Sequence, residues 1–496
     1  MLFFSAPWSS RAIALSMLLA LARLSAAAQG LPPEVEASLA RAKVPREALS
    51  AVVVDAAPAS GARQLPLLQF APNQPMNPAS VMKLVTTYAG LELLGPAYTW
   101  TTPVYTDGQV ADGVLTGNLV IQGRGDPKLV VERLWLLLRR VQSLGIRSIT
   151  GDIVLDRSAF AAAMPNPADF DGEPLRPYNV QPDALLVNYK SVVMTFTPQP
   201  GAGLAMVSYD PPLAGVYLQA SVPLASNNGR PALANCGDYR AQLLPAFSSP
   251  NRLTFAGSYP PECGQQTWSI AYADPASYAE RAIAGLWQDM GGKLGGKVRA
   301  GTVPPGLAPA FVLESPPLAE VIRDINKFSN NVMAQQLFLS LSLQRPGGAS
   351  FNASQETVQT WWQARFGGAA KGPNMPQDAL VLDNGSGLSR SERVTAQGLA
   401  RMLQTAYVSG TMPELMASLP ITGVDGTLKR AQSTVSQGWA HLKSGTLRDA
   451  TALAGYVHTL SGRRLVVVGI INHPNAPAAR PALEALVDWA VKEGNR

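Results

Sequence analysis

Apolar positions at helical spacing mark two stretches near the start of the chain. Residues 33–43 carry Val35, Leu39 and Ala42 on one face and stop before Pro45. Residues 78–94 carry Val81, Leu84, Val85, Tyr88 and Leu91 and end at Gly95-Pro96. Between them, apolar runs at 51–55 and 67–70 flank a Pro/Gly/Ser/Ala stretch, a pattern that predicts a hairpin. From about residue 100 the texture changes. Short β-type runs at 103–106, 114–122, 148–155, 192–198, 204–208, 215–220 and 252–257 alternate with Gly, Pro, Asp and Asn turns. A helix near 129–144 interrupts them, and an amphipathic helix over 278–290 follows. The middle of the chain thus reads as one or two β-rich modules. After Pro316-Pro317 helices are expected at 318–326, 331–343, 354–366, 395–407 and 413–418. Strands at 438–443, 450–459 and 464–472 and a helix at 481–493 close the chain, the last two strands joined by the turn Ser461-Gly462-Arg463.

The first residues break this pattern. Arg11 precedes the apolar run 12–22, and Ala26-Ala27-Ala28 offers a small-residue cleavage site. These are the parts of an export signal, and the run is too short to span a bilayer comfortably, the alternative being an uncleaved N-terminal anchor. The expectation is a signal peptide over residues 1–28 and a mature protein in the periplasm, with at most loose membrane association. The formal net charge of +6 falls to +4 without Arg11 and Arg23. That mild basicity favours an anionic polymer nearby. With no dense Lys/Arg cluster interleaved with aromatics, it excludes a nucleic-acid footprint.

Two cysteines, Cys236 and Cys263, stand in Gly/Pro/Ser-rich surroundings. In an exported protein an even count points to one disulfide, the alternative being two buried thiols. Two cysteines and three histidines scattered at 441, 458 and 473 make no dedicated metal site, and no cofactor is expected.

Candidate chemistry gathers in three places. In Asn77-Pro-Ala-Ser80-Val-Met-Lys83 a serine and a lysine three residues apart share one helix face, where the amine reaches the hydroxyl. Asn77 is expected as N-cap and Pro78 as the first helical residue. Ser329-Asn330-Asn331 lies in the turn between two helices and sets a hydroxyl and an amide two residues apart. Either Ser329 or Asn330 could equally be a plain helix cap. Lys443-Ser444-Gly445-Thr446 ends a predicted strand, pairing a cation with two hydroxyls and a glycine that permits close approach. Each pattern alone is common. Their joint occurrence, once each and in this order, is of the type found in β-lactamases and penicillin-binding proteins.

Over essentially the whole mature length the sequence resembles the class C low-molecular-mass penicillin-binding proteins, the serine-type D-alanyl-D-alanine carboxypeptidase/endopeptidases. Besides the three motifs the resemblance rests on Gly123-Arg-Gly-Asp-Pro127, Gly151-Asp-Ile-Val-Leu-Asp156, Tyr178-Asn179 with Val187-Asn188-Tyr189, Asp383-Asn-Gly-Ser-Gly-Leu-Ser-Arg390, Gly423-Val-Asp-Gly-Thr-Leu428 and Ala454-Gly-Tyr456. The 249 residues between Ser80 and Ser329 are themselves diagnostic. Ser444 departs from the threonine more usual there and keeps the hydroxyl.

The resemblance implies an α/β (α+β) fold. Its penicillin-binding/β-lactamase-like transpeptidase domain, an antiparallel sheet flanked by helices, would span 29–101 and 318–496. Two inserted β-rich domains would cover 102–122 with 196–317, and 123–195. It also implies Ser80, Lys83 and Ser329 as catalytic residues and Asn331, Lys443, Ser444, Gly445 and Thr446 as substrate-binding. The substrate class is a peptidoglycan peptide ending in D-Ala-D-Ala, with β-lactams as covalent inhibitors. Two alternatives share the motifs: a β-lactam-hydrolysing enzyme, and a non-catalytic peptidoglycan-binding or sensor protein. No Glu-x-x-Leu-Asn element of the class A β-lactamases is present. Gly291-Gly-Lys-Leu-Gly-Gly-Lys297 falls short of a phosphate loop, since Val298 stands where Ser or Thr is needed. His441 is expected on the same strand face as Lys443, without a catalytic role.

Overall fold

The computed structural model describes residues 30–57, 66–161, 165–225, 236–367, 379–431 and 433–493. The expected signal peptide lies outside them. Two units divide the chain: one holds the residues up to Ala89, Ile322–Ser329 and those from Val358 on, the other Gly90–Val321 and Asn330–Thr357. Among the described residues no helix is long and apolar enough to cross a membrane.

The first unit is built on a five-stranded antiparallel sheet in the order Leu68–Phe70, Leu49–Asp55, Arg464–Asn472, Ala450–His458, Ala440–Thr446. The central strands are buried almost end to end, which is why they read as continuous apolar runs. One face carries Leu49, Ala51, Val53, Leu442, Leu453, Val467 and Ile471 against the helices Pro33–Arg41 and Arg480–Glu493. Gly469 lets the terminal helix approach, since a Cβ there would stand 2.7 Å from Leu483. The opposite face meets the helix Ala396–Tyr407, onto whose Leu403 carbonyl Tyr456 donates its hydroxyl at 2.8 Å. Lys443 and Gly445 project on that same side, opposite Ala454 and Ala452 of the neighbouring strand. A slip of one residue would carry Lys443 into the apolar layer of Leu442 and Leu453, so the register is firmly specified.

Asn326, in the helix Leu318–Phe328, ties this unit together: its side-chain amide donates to Thr87 at 3.3 Å and to Ser418 at 2.9 Å. Beyond it, Lys327 pairs with Asp425 at 2.6 Å.

The second unit is β-rich. A five-stranded sheet runs Val298–Gly301, Ile153–Asp156, Leu119–Gln122, Thr101–Thr106, Phe311–Glu314, and a four-stranded antiparallel sheet runs Ser221–Pro223, Leu204–Asp210, Ser191–Gln199, Gln266–Ala271. The helices Val131–Ser143 and Tyr278–Asp289 share their core through Leu134, Leu138, Ile283 and Trp287. The runs 114–122 and 148–155, expected as single strands, each split between two sheets. The splits fall at Gly117 and Gly151. A Cβ at Gly117 would press to 2.5 Å from the Asp107 carbonyl, and one at Gly151 to 2.5 Å from Asn118 Oδ1. Side-chain contacts from Asp107 and Asn118 hold the crossing point, and hydrophobicity alone carries no trace of it. The sulfurs of Cys236 and Cys263 are bonded in this unit.

Candidate active site

Ser80 stands on a tight turn. Residues Ala79–Met82 form a 3-10 turn, and the α-helix begins at Lys83 and runs to Leu93. In a 3-10 turn residues i and i+3 eclipse, so the Ser80 hydroxyl lies directly in line with Lys83, Oγ to Nζ 3.1 Å. Asn77 is not the N-cap that the sequence leads one to expect. The capping position falls on Pro78, whose ring offers no acceptor, and no side-chain cap forms. Asn77 instead splints the turn: its Oδ1 accepts from Ala79 N–H at 2.8 Å and its amide donates to the Ser389 carbonyl at 2.9 Å. Asn472 grips the Asn77 backbone from both ends, at 2.8 and 2.9 Å. This clamping holds Ala79 at φ +47°, a left-handed conformation unfavourable for alanine. The strain sits one residue before the serine.

Lys83 is fully buried. Its Nζ also donates to the Ser386 carbonyl at 2.5 Å. Burial lowers its pKa well below the ordinary lysine value and Lys443 adds to the shift, while Glu392 opposes them. Burial of this kind favours the neutral amine, the form that can accept a proton. Lys443, also fully buried, is pushed down to about 7 by burial. It donates to Ser329 Oγ at 2.9 Å and to the Ser444 carbonyl at 2.7 Å. Ser329 closes its helix at φ +56°, the second left-handed non-glycine residue of the site.

The Ala440–Thr446 strand is the sheet edge. Its first half is covered: Leu442 N–H donates to the Pro420 carbonyl, and Ile421 bridges to His441. Among the described residues no strand pairs with Lys443–Thr446 on the outer side. Gly445 rests on the Ser80 turn, where a Cβ would stand 2.7 Å from the Pro78 carbonyl and 2.8 Å from Ser80 N. The pleat turns Ser444 and Thr446 the other way. Ser444 shares a hydrogen bond of 2.8 Å with Thr427, and Thr446 is exposed at the strand end.

Ser80, Lys83, Ser329, Lys443, Ser444, Gly445 and Thr446 therefore belong to one unit, linked by the contacts above. Asn331 opens a helix of the other unit, Asn331–Ser340, and its amide donates to the Tyr178 carbonyl at 3.0 Å. Asn330 caps that helix through Met333 N–H at 3.1 Å. His441 stacks on His458 with ring centroids 5.4 Å apart and burial lowers its pKa, a structural placement.

Sequence reasoning missed one segment of the site. Residues 385–387 lie along the Ser80 turn. The Gly385 carbonyl accepts from Thr86 at 2.6 Å and the Ser386 carbonyl from Lys83. Gly387 approaches so closely that a Cβ would sit 2.0 Å from the Ala79 carbonyl. The glycines of Asp383–Arg390 were a legible signal of close approach. Glu392, Thr86 and Asn472 had none.

The sequence profile of the D-Ala-D-Ala carboxypeptidase 3 (S13) family matches residues 33–493. A D-alanyl-D-alanine carboxypeptidase of Actinomadura sp. (strain R39) is 28% identical over 420 residues, 82% of this chain and 75% of that protein. The D-alanyl-D-alanine carboxypeptidase DacB of Haemophilus influenzae is 25% identical over 403 residues, 79% of this chain and 80% of the relative. The crystal structure of penicillin binding protein 4 (dacB) from Haemophilus influenzae matches with a TM-score of 0.70 at 22% identity, over 92% of this chain and 99% of that one. A complex of that protein with a β-lactam gives 0.64 at 23%, over 89% and 96%. At such identity these two structures speak for the fold.

Proposed function

This chain belongs to the D-Ala-D-Ala carboxypeptidase 3 (S13) family, a family of serine-type carboxypeptidases, and on that premise we propose that Ser80 is its nucleophile and Lys83 its general base. The observation that carries the reading is the 3.1 Å contact between Ser80 and a fully buried lysine of lowered pKa. Ser80 Oγ attacks the penultimate carbonyl of a peptide ending in D-Ala-D-Ala, and its proton passes to Lys83 Nζ. Backbone N–H groups of Ser80 and Thr446 receive the oxyanion; a donor of this kind is worth roughly 10²–10³ in rate. Ser329 relays a proton to the leaving nitrogen, D-alanine departs, and water hydrolyses the acyl-serine.

The open edge at Lys443–Thr446 offers the substrate an antiparallel partner. Lys443 attracts its terminal carboxylate, Thr446 adds a hydroxyl donor, and Gly445 keeps the Ser80 turn close to the edge. Ser444 is read as acting through Thr427, and Asn331 as the amide that meets the peptide. Cleavage of cross-bridges, acylation by β-lactams and export by residues 1–28 belong to the same reading. In it the inserted residues 102–317 form two β-rich domains.

Labelling with a fluorescent penicillin tests it. The native protein should become covalently labelled and Ser80→Ala should not. Persistent labelling of the alanine variant would remove Ser80 as nucleophile. Digestion of cross-linked muropeptides separates the two peptidase activities: released D-alanine marks one, monomers the other.

A further inference from the structure

We propose that Glu392 is a positioning residue for acylation: it fixes the loop that presents the Ser386 carbonyl to Lys83 and supplies the counter-charge for the ammonium that Lys83 becomes on taking the Ser80 proton. This rests on the reading of Lys83 as the base.

Glu392 is completely buried. One carboxylate oxygen accepts three successive backbone donors, from Asp383 at 3.2 Å, Asn384 at 3.2 Å and Gly385 at 2.9 Å. The other oxygen has no hydrogen-bond partner among the described residues. The first oxygen explains the loop. The Gly385 peptide is held by Glu392 at its N–H and by Thr86 at its carbonyl, and the next carbonyl, that of Ser386, receives Lys83. The second oxygen is not explained by loop building, because an amide side chain would hold the same three donors without a buried charge. Leaving a carboxylate oxygen buried and unpaired is strongly unfavourable.

Charge supplies the missing reason. Among the described residues the charged groups that act most on Glu392 are Asp383, on its own loop, and Lys83. Burial raises its carboxyl to about 7, so it ionises in the range where Lys83 is to work as a base. Lys443 acts on Lys83 in the opposite sense, disfavouring its charged form. When Ser80 gives up its proton, the Oγ–H bond breaks and an Nζ–H bond forms. The new ammonium then feels both a buried cation and a buried anion. Without Glu392 two like charges would share a dry site.

Glu392→Gln keeps the size and the acceptor for the loop and removes the charge. The second-order rate of acylation by a fluorescent penicillin is followed across pH, alongside thermal melting. Loss of the anion weakens the hold of Lys83 on a proton, so the acid limb should move down by about one pH unit while the plateau falls roughly tenfold. Glu392→Leu removes charge and polar atoms together and gives the same readout should the glutamine variant not fold. A folded variant whose acid limb stays at the native position or moves up overturns the proposal, whether or not its plateau has fallen, because loosened structure lets water reach Lys83 and can only raise its titration, whereas loss of the anion lowers it. No labelling of the native protein at any pH is a different failure: it overturns the reading of Ser80 and Lys83 and this inference with it.

Discussion

Lys443 Nζ reaches Ser329 Oγ across 2.9 Å, joining a strand to a helix end 114 residues earlier in the chain. The lysine is fully buried, so the contact sits where a cation is unfavourable. Its folded pKa of about 7 lies below the ordinary 10.5. A depressed pKa contributes stability that is complete above pH 10.5 and is lost as pH falls through 7. Lys443→Met should therefore melt higher than the native protein by a margin that widens from pH 10 towards 7, while KM for a D-Ala-D-Ala peptide rises. Parallel melting curves at all pH values would show that this lysine carries no such burden.

Gly387 packs against the turn that carries the serine. At φ +79° and with no room for a Cβ, Gly387→Ala should lose about 2–4 kcal/mol of stability. The folded fraction should acylate at least tenfold more slowly, since the Ala79 carbonyl and Ser80 N must shift. Urea unfolding and acylation kinetics on the same sample check both.

Asn472 is not one of the candidate catalytic residues, yet its side chain holds the Asn77 backbone from both ends. Asn472→Ala should cost about 1–3 kcal/mol and slow acylation, as the left-handed Ala79 relaxes. Asn77→Ala should do the same, and the double variant should fall short of the sum. Strict additivity in a double-mutant cycle would mean that the splint is not one device.

His458 is held down at about 4, by burial first and then by Arg464 and His441. Its contribution to stability is complete above its ordinary 6.5 and is lost as pH falls through 4. Unfolding free energy should drop over that window, and His458→Gln should flatten the drop. The histidine pair lies away from Ser80 in the described contacts, so acylation of the glutamine variant at pH 7 should stay within about twofold.

Much of this arrangement was readable from residue order. The helices and strands of the first unit follow from period and punctuation because each has one buried face or two. The motifs at Ser80, Ser329 and Lys443 were readable because acyl transfer restricts which residue types can serve. The break of 114–122 into two sheets was not, since a glycine that permits a crossing looks like a glycine that ends a strand. Nor was the role of Asn77. Its side chain satisfies the capping rule by composition, while its true partners, Ser389 and Asn472, lie more than 300 residues away. Glu392 was invisible for a similar reason: a buried carboxylate is defined by what surrounds it.

The uncovered half of the edge strand is also a ruler. Among the described residues no strand covers the four residues from Lys443 to Thr446, which at about 3.3 Å per residue gives roughly 13 Å of edge. Beyond that the segment around Ile421 occupies the edge. An extended peptide can register only its last few residues there, so the rest of a wall strand must hang outside the ladder. On the proposed function such an edge would read chain ends by running out, and the same shortness leaves little strand for a second protein molecule to stack upon.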